Sequence, residues 1–259
     1  MENNRPDRLN FDIIFHAADQ CLTGTYRKGT KGLQHNFRKG EIYFYSYLWN
    51  ELYRLPLNGF LAKFLNRIGI GPRNLKIEKS DVEVVPKLMI AGKRSEPDIA
   101  IETDKNLVFF EFKNYSSSGE SIKNPQLVKE YLAGLKHAKG KPFYYVIVQE
   151  HKEKPNTAVH NNAMVDAEEL KRCAEEFIKE FIDNDEQVQK LRKWNSEFKP
   201  ENLIRLNWDD FLNSVYEQIK ESKNYTKNKD LIELYDRVEE RITEFVSQRE
   251  NDFFDPSRN

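Results

Sequence analysis

Cysteine is scarce in this sequence. Its two cysteines, Cys21 and Cys173, lie far apart and show neither the spacing of a metal site nor the density of a disulfide-bonded secreted domain. Long apolar runs are missing as well: no stretch of about 18 apolar residues occurs, so we expect no membrane span. Residues 1–10 are polar and contain no signal-peptide core. These absences favour a cytoplasmic protein with reduced thiols.

Apolar residues are plentiful enough for a folded core. They make up 39% of the 259 residues, and aromatic residues make up 12%, which permits one large domain or two small ones and excludes a disordered chain. The net charge is only −1. Residues 1–100 hold 16 Lys and Arg against 11 Asp and Glu, and the remainder holds 25 against 31. The basic N-terminal part hints at a polyanionic partner, with ordinary scatter of charge as the alternative.

Hydrophobic periodicity, glycine and proline divide the chain into helices and strands. Helices are predicted at 9–22, 41–55, 58–69, 126–140, 166–185, from Asp209 or Asp210 onward, and at 226–250. Strands are predicted at 75–88, at two places within 95–114, at 142–150 and at 202–208. This order indicates an α/β sandwich with a central mixed sheet and extra helices at both termini.

The same pattern predicts three segments within one compact domain. Residues 1–40 form an N-terminal helix and basic loop, residues 41–210 form the core, and residues 211–259 form a C-terminal helical extension.

The stretch SEPDIAIETDKNLVFFEFKN reads as a hairpin of two apolar strands, yet it carries Asp98, Glu111 and Lys113. Charges seldom lie in buried strands unless something pairs or binds them. If the turn centres between Asp104 and Lys105, the numbers of paired residues sum to 209, so that Asp98 lies opposite Glu111. All three charged residues then share one face of the hairpin. The opposite face is apolar throughout, which favours this register; it consists of Ile99, Ile101, Val108, Phe110 and Phe112.

Two directly opposed carboxylates repel each other, and a divalent cation removes that repulsion. Mg²⁺ prefers oxygen ligands and commonly binds one or two carboxylates together with substrate phosphate. Lys113, on the same face, could hold a water or neutralise a phosphate. The hairpin therefore has the parts of a metal-dependent site for phosphodiester hydrolysis. A surface hairpin with a Lys and Glu rim is the alternative.

Pro97-Asp98, twelve intervening residues and then Glu111-Phe112-Lys113 resemble the motif of the PD-(D/E)xK phosphodiesterase superfamily, which has the restriction-endonuclease-like fold. Residues 41–210 also resemble that family's core in their order: a helix, a three-strand meander, a helix, a strand, and a further helix and strand. The resemblance implies an α/β/α sandwich in which Asp98 and Glu111 bind the metal together with the backbone carbonyl of Phe112. It implies that Lys113 orients or deprotonates the attacking water.

Many family members carry a further Glu on the first core helix. Glu41 is the candidate here, with Glu51 as the alternative. An acid favoured by the helix N-terminus is the other explanation of Glu41. RecB-like relatives have a Gln and a downstream Tyr on the helix after the hairpin. Gln126 matches that Gln, but Tyr131 follows it by five residues, one more than in those relatives, and so turns away. We expect Gln126 near the site and Tyr131 in the core.

Four basic residues, two before the first core helix and two before Asp98, are candidates for contact with a nucleic-acid backbone. Lys93 and Arg94 precede Asp98, and Arg38 and Lys39 lie in the basic loop. A solvated surface is the alternative for all four.

The expected function is a nuclease that hydrolyses DNA with Mg²⁺, for which Mn²⁺ could substitute. Its size suits an endonuclease of restriction-modification or antiviral phage-defence type. A homodimer is expected for cutting both strands, with helix 226–250 as a candidate contact. The alternatives are a catalytically silent nuclease fold that binds nucleic acid or protein, and an RNA or tRNA nuclease.

Overall fold

A computed structural model describes most of the chain from Trp49 onward. The described residues are 49, 51–71, 75–78, 81–84, 86–112, 125–149 and 167–253. The chain divides into two compact units. Unit 1 comprises Met1–Arg67, Pro72–Lys79 and Asn213–Asn259, and unit 2 comprises Ile68–Gly71 and Ser80–Leu212.

The described elements alternate between helix and strand. The strands are β1 (Val82–Val84), β2 (Leu88–Ile90), β3 (Lys93–Ser95), β4 (Ile99–Glu102), β5 (Leu107–Phe112), β6 (Phe143–Gln149) and β7 (Leu203–Asn207). The α-helices are α1 (Ala62–Arg67), α2 (Pro125–Ala138), α3 (Ala167–Phe181), α4 (Asp185–Glu197), α5 (Trp208–Tyr225) and α6 (Lys229–Phe253). A π-helical turn, Leu57–Leu61, precedes α1, and a 3-10 turn, Pro200–Asn202, precedes β7.

Unit 2 is built on a five-stranded sheet in the order β1-β4-β5-β6-β7. The first three of these strands pair antiparallel, and β5, β6 and β7 pair parallel. The sheet is therefore mixed, and the predicted α/β class is confirmed. All six residues of β5 are buried, as expected of a strand covered on both faces.

The predicted register of the β4–β5 hairpin is confirmed. Ile99 pairs with Phe110 and Glu102 pairs with Leu107, so that paired numbers sum to 209. Thr103 closes the turn, since its Oγ1 accepts hydrogen bonds from the backbone N–H groups of Lys105 and Asn106 at 3.3 and 3.1 Å. A polar side chain that satisfies turn amides in this way fixes both the loop and the register.

The structure differs from the predicted elements in three places. The strand expected over 75–88 is reduced to β1 and β2, and 75–78 have no regular secondary structure. The β2–β3 hairpin was not foreseen. The helix expected to end at 185 ends at Phe181, and a separate helix, α4, follows it. Asn184 begins α4, because its side chain accepts a hydrogen bond from the Gln187 N–H at 2.8 Å.

Helices α2, α3 and α4 share a hydrophobic core with one face of the sheet. That face presents Ala100, Leu107, Phe109, Phe143, Tyr145 and Ile147, all buried. Gly134 lets α2 approach closely: a Cβ added there would lie 2.2 Å from the Phe143 ring. On the other face, Phe112 packs against Trp208 and Phe211, with ring centroids 5.6 Å away in both cases.

Unit 1 has its own buried residues, among them Phe60, Phe64 and Tyr235. Ion pairs connect α5 with α6 through Lys223, which binds Asp236 and, at 3.3 Å, Glu239. No helix within the described ranges is both long and apolar enough to pass through a membrane.

Candidate active site

The Asp98 carboxylate lies at the end of the β4–β5 hairpin. Asp98 directly precedes β4, and its Oδ2 accepts a hydrogen bond from the backbone N–H of Phe112, the last residue of β5, at 2.7 Å. This short, charge-assisted bond fixes the Asp98 side chain across the hairpin, next to the peptide that joins Glu111 to Phe112.

Glu111 is on the face of the sheet that packs against α2, α3 and α4. It alternates with Phe109, and Phe109 pairs with Tyr145 in the register of β5 with β6, so these three side chains share one face. Only 1% of Glu111 is exposed. A carboxylate this deeply buried requires hydrogen bonds, and Glu111 Oε1 accepts one from Gln126 Nε2 at 3.1 Å.

A second buried carboxylate adjoins the first. Gln126 is in the first turn of α2, and its Nε2 also donates to Glu130 Oε1 at 2.9 Å, one helical turn along. Glu130 is likewise 1% exposed. Its Oε2 accepts a hydrogen bond of 2.7 Å from the Tyr145 hydroxyl on β6. Side chains from β5, α2 and β6 thereby form one continuous hydrogen-bonded network: Glu111, Gln126, Glu130 and Tyr145.

The buried hydroxyl of Tyr145 is subject to the charges of the nearby carboxylates. Complete burial raises the pKa of the Tyr145 phenol well above its ordinary value, and the negative charges of Glu130, Glu111 and Asp98 raise it further. Three acidic side chains therefore act on one buried hydroxyl group.

The donor chemistry of Asp98 and Glu111 fits a hard cation. Their ligand atoms are carboxylate oxygens, which Mg²⁺ prefers over nitrogen and sulfur, and a cation would offset the negative charge concentrated around Tyr145. Among the described residues, no group of three or more His, Cys, Asp or Glu side chains is arranged to hold a metal ion. The ligand set that the resemblance implies contains two carboxylates, and its third ligand is the backbone carbonyl of Phe112.

The structure describes only some of the predicted site residues. Lys113, Glu41, Arg38 and Lys39 are outside the described residues. Glu51 is a buried residue of unit 1, where Arg241 at 3.3 Å and Arg54 at 3.6 Å hold its carboxylate.

Lys93 and Arg94, predicted to contact nucleic acid, are exposed on β3. Both already have partners within the chain. Lys93 Nζ lies 3.4 Å from the centroid of the Phe181 ring, a cation–π contact. Arg94 forms an ion pair with Glu96. A phosphate group would have to compete with these contacts.

Sequence reasoning missed Glu130 and Tyr145. A signal for each is present in retrospect: Glu130 follows Gln126 by four residues and so shares its helix face, and Tyr145 alternates with Phe143 and Ile147 on β6. Tyr131 is a core residue as predicted. It is fully buried, and its hydroxyl donates to Asn195 Oδ1 at 2.8 Å.

The fold and this network define an α/β protein with buried carboxylates where β5 ends beside the start of α2. Comparison of the chain with protein-family models, curated proteins and solved structures finds no match.

Proposed function

We propose that this chain is a cytoplasmic, Mg²⁺-dependent nuclease of the PD-(D/E)xK type that hydrolyses phosphodiester bonds in DNA. One observation carries the proposal: Asp98 is hydrogen-bonded to the N–H of Phe112 at 2.7 Å, which holds its carboxylate beside Glu111, the residue before Phe112. The two acidic residues of the motif are thus at the same end of the hairpin. Opposed strand residues have Cβ atoms about 4.5–5.5 Å apart, and we expect both carboxylates to share one metal ion.

The topology supports this proposal. An antiparallel meander of β1, β4 and β5 leads through α2 to the parallel strand β6 and, after further helices, to β7. This order resembles the one expected of a restriction-endonuclease-like core, in which the β2–β3 hairpin would be an insertion between the first two strands of the meander.

The chemistry assigned to the site is in-line attack of water on a phosphodiester, which leaves a 5′-phosphate and a 3′-hydroxyl. When bound, Mg²⁺ would polarise a phosphoryl oxygen and lower the pKa of a coordinated water. Asp98, Glu111 and the carbonyl of Phe112 would hold the ion. Lys113 would orient the attacking water or take its proton, and Gln126 would hold Glu111 in place.

The wider role that suits such a chain is that of an endonuclease in restriction-modification or phage defence. Arg38, Lys39, Lys93 and Arg94 are the proposed contacts to the DNA backbone. A homodimer, with α6 as the candidate contact, would supply the second site needed to cut both strands.

A cleavage assay tests the proposal. The purified chain is incubated with plasmid, linear duplex, single-stranded DNA and RNA, in Mg²⁺ or in EDTA. We expect Mg²⁺-dependent cleavage of DNA that falls at least about 100-fold in Asp98→Asn and in Lys113→Ala, because each removes a group required in the transition state. Glu102→Gln is the matched control, since it neutralises a carboxylate at the opposite end of β4 and should leave cleavage unchanged.

Equal cleavage by the parent and Asp98→Asn would refute this assignment of the site. Cleavage restricted to RNA would identify an RNA or tRNA nuclease instead. Binding of nucleic acid without cleavage, in Mg²⁺ and in Mn²⁺, would identify a silent nuclease fold that acts as a binding module.

A further inference from the structure

Glu130 is a buried acid for which the proposed chemistry has no direct use. It is 1% exposed, and both of its oxygens have partners: Gln126 Nε2 at 2.9 Å and the Tyr145 hydroxyl at 2.7 Å. Burying a carboxylate costs several kcal/mol unless it is paired and hydrogen-bonded. A leucine at this position would pack against the core without that cost, so the two hydrogen bonds of Glu130 call for an explanation.

The explanation lies in the amide of Gln126. A side-chain amide has two N–H hydrogens, and Nε2 of Gln126 is within hydrogen-bonding distance of two carboxylates, Glu111 at 3.1 Å and Glu130 at 2.9 Å. The acceptor on each side of Nε2 sets the rotation of the amide about its last torsion angle. Without Glu130, the amide could turn its Oε1 toward the core and lose its bond to Glu111.

Tyr145 holds Glu130 in turn. Its hydroxyl is fully buried on β6, where burial and the neighbouring carboxylates raise its pKa and keep it protonated. A protonated phenol is a donor, and Glu130 Oε2 is its acceptor. The network therefore links β6 through α2 to the end of β5, with Tyr145 and Gln126 as donors and the carboxylates of Glu130 and Glu111 as acceptors.

We propose that Glu130 is a positioning residue: held by Tyr145, it fixes the Gln126 amide and, through that amide, the Glu111 carboxylate in the orientation in which Glu111 would bind the metal. This inference rests on the proposed function. Outer-shell groups that hold metal ligands in place typically contribute 10–100-fold to metal affinity or activity, and Glu130 would act in that shell through Gln126.

The test measures metal affinity directly. Mn²⁺ is titrated into the full-length chain without nucleic acid, by calorimetry, for the parent, Glu130→Gln, Tyr145→Phe and Tyr131→Phe. Glu130→Gln presents an amide whose N–H groups would face other donors, and we expect affinity to fall about 10–100-fold. Tyr145→Phe removes one hydroxyl with no change of shape, and we expect a fall of about tenfold, the lower end of that range.

Tyr131→Phe is the matched control. It deletes a buried phenol from α2 that makes a 2.8 Å hydrogen bond to Asn195, a loss comparable to that in Tyr145→Phe, but outside the network. We expect Mn²⁺ affinity to equal that of the parent. In cleavage assays, Tyr145→Phe should require about tenfold more Mg²⁺ for half-maximal rate and recover the parental rate at saturation, because positioning, not chemistry, has been lost.

The outcomes separate this inference from the proposed function. If the parent binds Mn²⁺ and Tyr145→Phe binds it equally well, the positioning role is refuted and the nuclease proposal stands. If Tyr145→Phe and Tyr131→Phe weaken binding alike, the effect is structural and the inference is also refuted. A parent that binds no Mn²⁺ refutes both. If Glu130→Gln does not fold, Tyr145→Phe decides the question.

Discussion

Under the proposed function, Asp98 has two tasks that a pair of substitutions can separate. Its charge would bind metal, and its Oδ2 accepts the 2.7 Å hydrogen bond from the Phe112 N–H. Asp98→Ala removes both. A hydrogen bond to a charged group contributes about 1.5–3 kcal/mol, and a buried donor deprived of its acceptor costs a similar amount. Since Phe112 is 1% exposed, we expect Asp98→Ala to lower the free energy of unfolding by about 2–3 kcal/mol.

Asp98→Asn removes the charge alone. The amide oxygen can still accept the Phe112 N–H, as a neutral bond of about 0.5–1.5 kcal/mol. Relief of the repulsion between Asp98 and Glu111 contributes about 0.2–1 kcal/mol in the opposite direction. The net change in stability is expected to lie within about 1 kcal/mol of zero, although metal binding should be lost in both variants.

Urea unfolding in EDTA, followed by circular dichroism, measures the difference. The exposed turn residue Asp104 gives the control, and Asp104→Ala should change stability by no more than about 0.5 kcal/mol. If Asp98→Asn destabilises the protein as much as Asp98→Ala does, the hydrogen bond to Phe112 is not what Asp98 contributes to stability, and these substitutions do not separate its charge from its hydrogen bond.

Two other residues give independent tests of packing and charge. Gly134→Ala should destabilise the protein, because its new Cβ would lie 2.2 Å from the Phe143 ring. Overpacking costs about 1–3 kcal/mol, which exceeds the roughly 1 kcal/mol that alanine adds to helix stability. Unchanged or increased stability in urea would contradict the close approach of α2. Burial raises the pKa of Glu102, but hydrogen bonds from Lys141 and His137 outweigh it, so that the pKa lies below its ordinary value of 4.5. A carboxyl group whose pKa is lower in the folded state stabilises the fold at pH values above its unfolded-state pKa. This stabilisation is lost as the pH falls through the folded-state pKa. Because Glu102 is half-exposed, Glu102→Gln should lower the free energy of unfolding by less than about 1 kcal/mol at neutral pH. The unfolding free energies of the parent and the variant should converge below pH 4.5. A difference that grows in acid would show that folding does not lower the pKa of Glu102.

The parts of the fold that follow from local pattern could be predicted from the sequence. The alternation of apolar residues in β4 and β5 fixed the hairpin register, because a slip of one residue would have turned every apolar side chain to the wrong face. The continuous apolar run of β6 was equally clear. The β2–β3 hairpin was not predicted, because its turn residues, Ala91 and Gly92, both adopt left-handed conformations, with φ of 50° and 68°. Alanine seldom does so, and the pair gives none of the usual Asn-Gly signal of such a turn.

The candidate site was foreseen where it depends on strand pairing and, for Gln126, from the family resemblance. Asp98 and Glu111 come together through the hairpin itself. The bond between Glu130 and Tyr145 depends on how α2 docks onto β6, and no periodicity in either element specifies that docking. From the sequence alone, Glu130 resembles any solvent-facing glutamate of an amphipathic helix.

Gly134 affects the candidate site as well as the packing of the core. At about 1.5 Å of rise per residue, a separation of eight residues places Gly134 about 12 Å along α2 from Gln126. The contact at Gly134 is therefore a pivot about which the first turn of the helix would move. A side chain at the pivot would tilt the axis, and a rotation of a few degrees about a 12 Å arm moves the far end by roughly 1 Å. The bond between Gln126 and Glu111, at 3.1 Å, would not survive such a movement. The geometry of the acidic network is therefore tuned from the middle of the helix, by a residue that contributes no side chain to it.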